Sequence, residues 1–276
     1  MRNPLQKPGL LTVVAVTALV AFACGRDSAP AQLEGLQDGT YFGVAEYTDG
    51  NGWAPLLQLT VEDGAIASVV FDYADADAEF KTDNQPYNQR MQDAVGTNPR
   101  QYTAELEQRL LAAQSLPVEA VSGATSSSAW FNRLADAVVE RAREGDTRVA
   151  LLPMSSTYRA EDQPDERGWI ATISIRYERQ SIAEIDYDEV QRQNGTITAR
   201  KSQDSDYAER WNAATGVDQT TVFPRLAEQL KDEGRPAGVD IISGATDSSR
   251  RFRTVAQAAI DKRVVIDFQQ IQNALR

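Results

Sequence analysis

The chain has 276 residues, 28 of them basic and 40 acidic, giving a net charge of −12 with no histidine and a single cysteine, Cys24. So acidic a surface argues against nucleic acid and against electrostatic adhesion to anionic lipid. Without histidine or a second cysteine, c-type haem ligation, Ser-His catalysis, zinc–histidine sites, iron–sulfur clusters and internal disulfides are excluded, so stability must come from packed cores.

At the N-terminus, Arg2 and Lys7 precede an uncharged apolar run over residues 10–23, which reads as an export signal. The run is too short for a comfortable bilayer span, and it stops at Ala21-Phe22-Ala23 directly before Cys24. The pattern resembles a bacterial lipoprotein signal, with residues 1–23 as signal peptide and Cys24 as the lipidated residue, although Ala21 stands where such signals usually carry Leu. An uncleaved membrane anchor and cleavage to a soluble protein are the alternatives. Each places the body of the protein outside the cytoplasm; the lipoprotein reading faces it to the periplasm or cell exterior. From Cys24 to Arg276 the chain has 253 residues with 26 basic against 40 acidic side chains, enough for two ordinary domains.

Residues 24–37 are polar and small and read as a tether. The expected domains are residues 38–147 and 148–276, because the chain repeats itself. In the first copy Leu57, Leu59 and Val61 alternate, Asp63-Gly64 turns, and Ile66 leads to Val69, Val70 and Phe71. In the second, Ile173, Ile175 and Tyr177 alternate, Arg179-Gln180 turns, and Ile182 leads to Ile185 and Tyr187, all at an offset of about 116. Alternation on both sides of a turn predicts an antiparallel hairpin with one buried face. Gly52-Trp53 and Gly168-Trp169 open the hairpins; each Trp could stack on a ligand or serve as a core aromatic. The acidic residues Asp72, Asp75, Asp77 and Glu79 do not match a calcium loop and read as solvated surface, so no metal site is assigned.

The next pairs, Tyr87 with Met91 and Tyr207 with Trp211, could line a ligand, but a spacing of four favours packing. A helix follows in each copy, with Leu106, Leu110 and Ala113 as its stripe in one and Leu226 and Leu230 in the other, Pro224 lying near the start of the latter. The last helix is the most regular: Phe131, Leu134, Ala135, Val138 and Val139 recur at an offset of 121 as Phe252, Val255, Ala256, Ala259 and Ile260. Steps of three and four put them on one face. The fold class is α+β, two tandem copies of a sheet with packed helices, the second having gained about five residues in its connections; Leu151, Leu152 and Met154 read as a linking or closing strand.

Before each final helix stands one tetrapeptide, Ser122-Gly123-Ala124-Thr125 and Ser243-Gly244-Ala245-Thr246. Gly suits a bend or a close approach, and Ser126-Ser127-Ser128 and Asp247-Ser248-Ser249 offer capping groups. A phosphate there meets unpaired N–H groups and the positive end of the helix dipole. The plain alternative is a pair of strand-to-helix turns whose hydroxyls only cap. Arg250 and Arg251 could balance a phosphate or merely add surface charge.

The run Asp240-Ile241-Ile242-Ser243-Gly244-Ala245-Thr246-Asp247-Ser248 resembles the flavinylation motif of the FMN-binding domain family, Asp-x-x-Ser/Thr-Gly-Ala-Thr-x-Ser/Thr. That family includes flavoprotein subunits of the sodium-pumping NADH:quinone reductase and Rnf complexes and tandem-domain lipoproteins of extracytoplasmic electron transfer. The Asp38-Gly39-Thr40-Tyr41 opening and its hairpin are similar too, whereas the second copy lacks that opening. The resemblance implies that a flavin transferase takes FAD, releases AMP and joins FMN through its phosphate to the motif threonine. Thr246 would be one attachment site, with Asp240 recognised by the transferase. Thr125 would be the second, with Glu119 in place of the family's Asp. Implied with it are one or two covalent FMN groups per chain, anchoring to the membrane through the lipid, redox partners near that membrane, and a role as an electron carrier rather than an enzyme. The other classes are a structural or surface lipoprotein that keeps the fold without flavin, and a noncovalent small-ligand-binding lipoprotein.

Overall fold

The computed structural model describes residues 31–275; the expected signal peptide and Cys24 lie outside them. The first copy runs β1 (Ala31–Gln32), β2 (Gly39–Ala45), β3 (Ala54–Glu62), β4 (Ala65–Ala74), α1 (Gln85–Val95), α2 (Pro99–Ala113), β5 (Ser115–Leu116), α3 (Thr125–Glu144) and β6 (Ala150–Leu152). The second runs β7 (Ser156–Glu161), β8 (Ile170–Glu178), β9 (Ser181–Gln193), β10 (Thr196–Arg200), α4 (Ser205–Thr215), α5 (Gln219–Glu233), α6 (Thr246–Ile260) and α7 (Phe268–Ala274). The strand orders are β4-β3-β2-β6 and β10-β9-β8-β7, so the α+β duplication stands, with β2, β3 and β4 answering to β7, β8 and β9.

The alternating residues make the expected hairpins. Asp63 and Gly64 take φ of 51° and 74°, the left-handed pair that a tight hairpin turn requires. Both hairpins carry a register shift at the same place, after Thr60 and after Arg176. One face of the first sheet receives α2 and α3, burying Leu106, Leu110, Phe131 and Leu134 completely; each such side chain contributes about 1.5–3 kcal/mol. α5 and α6 cover the second sheet likewise through Leu226, Leu230, Phe252 and Val255. Two details differ from expectation. Ala113 is exposed, because it sits in the last turn of α2 beyond the sheet, and Pro224 lies inside α5, not near its start.

The gained residues fall at two places. Four lie between β9 and the 3-10 turn at Lys201, where Asn194-Gly195 folds β10 back onto β9; one more falls between α5 and α6.

The expected boundaries shift at three points. Within the assigned tether, Ala31 and Gln32 pair with Leu116 and Ser115, and Leu36 is a core residue, so the first folded unit takes in residues from 31. Ala150–Leu152, expected in the second domain, pairs in parallel with Gly43, Val44 and Ala45. The cause is that α3 returns the chain across the sheet so closely that a Cβ on Gly43 would lie 2.7 Å from Val138 Cγ2. Finally, the C-terminal segment crosses back: Ile266 and Ile271 pack with Phe42, Val44, Leu56 and Met154 on the outer face of the first sheet. The Ile266 N–H donates to the Glu46 carbonyl at 3.1 Å and the Tyr158 hydroxyl to the Thr48 carbonyl at 2.7 Å, joining the two copies.

Candidate functional site

Five of the seven α-helices among the described residues start on an Asn or Asp whose side chain accepts a first-turn N–H: Asn84, Asn98, Asp204, Asp218 and Asp267. The two that do not are α3 and α6, where Ala124 and Ala245 hold the cap position without any side-chain hydrogen bond. Both begin inside the repeated tetrapeptide. Expected as caps, Ser128 and Ser249 instead bond inward. Ser128 Oγ accepts the Val121 N–H and donates to the Ala124 carbonyl, both at 3.0 Å. Ser249 Oγ does the same with Ile242 and Ala245, at 3.1 and 2.8 Å. The hydroxyl one turn into the helix thus ties down the preceding loop and leaves the first-turn donors without a protein partner.

The rest of the motif is explained by this geometry. Gly123 and Gly244 have φ of 76° and 80°, where a side chain is disfavoured. A Cβ on either would also strike the loop closing α1 or α4: Thr97 Cγ2 and the Val95 carbonyl at 3.1 Å, or Thr215 Cβ at 2.9 Å. Ala124 and Ala245 are buried, while Ser122, Thr125, Ser243 and Thr246 are exposed at the helix starts. Glu119 and Asp240 are exposed too, and they are held by their backbones. Arg109 Nη1 donates to the Glu119 carbonyl at 2.7 Å, and the Asp240 N–H donates to Gln229 Oε1 at 2.9 Å. Both residues thus stand at the solvent surface, three residues ahead of Ser122 and Ser243.

Around Thr246 lies a cavity of about 420 Å³, lined by Trp211, Tyr207, Lys201, Asp165 and the chain from Gly244 to Ser248. Trp211 Nε1 donates to the Gly244 carbonyl at 2.8 Å, fixing the ring beside the motif. Tyr207 and Trp211 therefore line this cavity as well as pack, and Met91 in the first copy packs against the core. Trp53 and Trp169 are buried, and each faces a lysine: Lys81 Nζ lies 5.7 Å from the Trp53 ring and Lys201 Nζ 5.2 Å from the Trp169 ring.

Three charged groups are placed otherwise than expected. Arg251 is committed to the protein, donating to Asp162 at 2.7 and 2.8 Å, to Glu189 at 3.1 Å and to the Trp169 carbonyl at 2.7 Å. Only Arg250 of that pair is exposed. Asp72 is not solvated surface but buried: it accepts from the Thr82 hydroxyl at 2.5 Å and the Tyr73 N–H at 2.7 Å, and burial raises its pKa. Asp188 and Ser202 repeat that lock at 2.7 Å in the second copy. Asp75 is a turn residue accepting the Asp77 and Glu79 N–H groups.

The two buried lysines carried no signal within one copy, although Lys81-Thr82-Asp83-Asn84 and Lys201-Ser202-Gln203-Asp204 repeat the pattern Lys-Ser/Thr-x-Asn/Asp at the offset of 120.

The fold and site define a class, a duplicated α+β protein with a solvent-facing threonine on an uncapped helix start in each half. No protein-family model matches the chain. The 15 kDa lipoprotein of Treponema pallidum is 33% identical over 135 residues, which are 49% of this chain and 91% of that protein, and the chain belongs to its family. A crystal structure of a Clostridium perfringens protein is 32% identical with a TM-score of 0.41, covering 42% of this chain and 97% of that one. A solution structure from Clostridium thermocellum is 23% identical with a TM-score of 0.27, covering 39% and 89%.

Proposed function

We propose that the chain is an extracytoplasmic electron-transfer flavoprotein, carrying FMN joined through its phosphate to Thr246 and Thr125 and held to a membrane by lipidated Cys24. One observation carries this reading: the two helices without a capping side chain are the two that begin at an exposed motif threonine. A phosphodiester on either threonine sits at first-turn N–H groups and the positive end of the helix dipole. The residues fit the rest of the group. The cavity at Thr246 offers Trp211 and Tyr207 as stacking surfaces, and sites for aromatic ligands combine such walls with a few polar groups. The bound flavin supplies one- and two-electron chemistry.

In attachment, the threonine oxygen forms a bond to the FMN phosphorus and loses its proton, the pyrophosphate bond of FAD breaks, and AMP leaves. The chain's part is to present the hydroxyl, hold the phosphate and expose Asp240 and Glu119 to the transferase. Anchoring is supported by the signal pattern ending at Cys24 and by membership in the family of a bacterial lipoprotein. Donor and acceptor are then redox partners in or near that membrane.

The test is export of the protein in a host with an active flavin transferase. Yellow protein whose absorbance survives denaturation, with a mass gain of one or two FMN groups lost in Thr246→Val and Thr125→Val, is expected. Folded, colourless protein from that host overturns the assignment.

A further inference from the structure

Lys81 is 8% exposed, and its Nζ lies 4.5 Å from the Tyr73 ring, 4.6 Å from Tyr87 and 5.7 Å from Trp53. Among the described residues no carboxylate comes within ion-pair distance of it and no acceptor bonds its N–H groups. The second copy has the same three-sided cage with one wall exchanged. Trp169 and Tyr207 remain at 5.2 and 5.0 Å from Lys201 Nζ, but Glu189 replaces Tyr73 and its carboxylate lies 2.5 Å from the ammonium. Glu189 also meets Arg251 at 3.1 Å, where the first copy has Trp130 at the corresponding position. Asp49 and Asp165 are common to both copies and accept equivalent loop N–H groups. The difference is therefore local: Lys201 belongs to a closed ionic network, and Lys81 has donors to give.

Aromatic faces recover only part of the hydration a lysine side chain loses on burial, so an anion within reach of the Lys81 ammonium would be stabilised there. The placement relative to the motif comes from the repeat: in the second copy Lys201 and Thr246 line one cavity, and Lys81 and Thr125 stand at the equivalent positions of the first copy. We infer that Lys81 is the anion-binding residue of the first site, pairing with the phosphate of a flavin mononucleotide held at the start of α3, and that Glu189 withholds this function from Lys201. The inference rests on the flavin reading above for the identity of the ligand, but it concerns noncovalent hold, not attachment.

The test uses the exported chain from a host lacking flavin transferase, so that both threonines are unmodified, with FMN, riboflavin and inorganic phosphate as probes in calorimetry and thermal unfolding. One FMN per chain is expected, bound about tenfold or more tighter than riboflavin, the worth of one charge-assisted hydrogen bond. Lys81→Met should erase that preference without lowering the melting temperature of the ligand-free protein. Tyr73→Glu, which imports the second copy's carboxylate, should erase it too, and Glu189→Gln should add a second phosphate-selective site. Equal binding of FMN and riboflavin, no FMN binding by the folded wild type, or full phosphate preference in Lys81→Met or Tyr73→Glu overturns the inference. Covalent labelling by added transferase is read separately by mass. Labelled threonines with no phosphate preference sink Lys81 alone, whereas Lys81-dependent binding without any labelling sinks the covalent assignment alone.

Discussion

Ser249 and Ile242 are joined by a hydrogen bond in which the Ile242 N–H donates to Ser249 Oγ at 3.1 Å, and the same hydroxyl donates to the Ala245 carbonyl at 2.8 Å. Both residues are buried, so Ser249→Ala leaves the Ile242 donor without a partner or water. The expected cost is about 1–3 kcal/mol, readable by urea denaturation, with Ser128→Ala matching it in the first copy. If the hydroxyl also sets the loop geometry, Ser249→Ala should slow FMN attachment at Thr246 and leave Thr125 unaffected. A stability loss with unchanged attachment would confine Ser249 to folding.

Arg251 holds together Asp162, Asp165 and Glu189, with its own side chain 10% exposed and that of Glu189 1% exposed. Removing one member of a buried ionic network leaves uncompensated charge, typically at about 3–5 kcal/mol. Arg251→Met is expected to destabilise the second copy by that order. Arg250→Met, at the exposed neighbour, should change stability by less than about 0.5 kcal/mol. Thermal unfolding followed by circular dichroism checks both, and equal effects at the two positions would contradict the assignment of Arg251 to the structure.

Glu107 on α2 accepts the Phe71 N–H of the edge strand β4 at 2.7 Å. Burial pushes its carboxyl up to about 7, against the lowering effect of that hydrogen bond and with a small addition from Asp72. The folded state thus prefers the protonated acid. Its stabilising contribution is whole below the ordinary value of 4.5 and is lost as pH rises through about 7. Glu107→Gln keeps an acceptor for Phe71 without a charge to bury, so it should gain on wild type steadily between those values. Denaturation midpoints of both proteins from pH 4 to 8 test this; parallel curves would refute it.

Much of the fold was legible because duplication prints each signal twice. The hairpins, the final helices and the helix start at each tetrapeptide follow from periodicity and turn residues. The both-sided burial of β2 had a signal as well: Tyr41-Phe42-Gly43-Val44-Ala45 is apolar throughout, whereas Ser156–Glu161 in β7 mixes in polar residues. A continuous apolar strand implies cover on both faces, but nothing local says that the cover is α7, more than 200 residues away. Asn194-Gly195 was a readable hairpin turn. The buried Lys81, Lys201, Asp72 and Asp188 were not readable within one copy, since charged residues default to the surface. Only their joint recurrence, each beside a hydroxyl residue at Thr82 or Ser202, marks them.

The remaining prediction concerns the two threonines, which should be labelled at different rates, Thr246 ahead of Thr125. Asp240 and Glu119 are both exposed and occupy equivalent places in the loop, so access does not distinguish them. The differences are one methylene of reach and the backbone tether, since Arg109 grips the carbonyls of Glu119 and Ala120 while Gln229 takes the Asp240 N–H. If the transferase reads the carboxylate by a fitted hydrogen bond, a displacement of about 1 Å can slow transfer by up to about a hundredfold. If it senses only a nearby negative charge, Glu serves almost as well, because attraction through solvent varies little over that distance. The rate of transfer is separate from the noncovalent hold by Lys81, so the first site can bind FMN better and still be labelled later. Under limiting transferase, with intact mass counting FMN groups and peptide mapping locating them, Thr125 should lag. Glu119→Asp should restore it, and Asp240→Glu should impose the same lag on Thr246. Equal rates at both threonines in all three proteins would show that the transferase reads charge alone, and the fitted-carboxylate argument would fall while the flavin assignment stood.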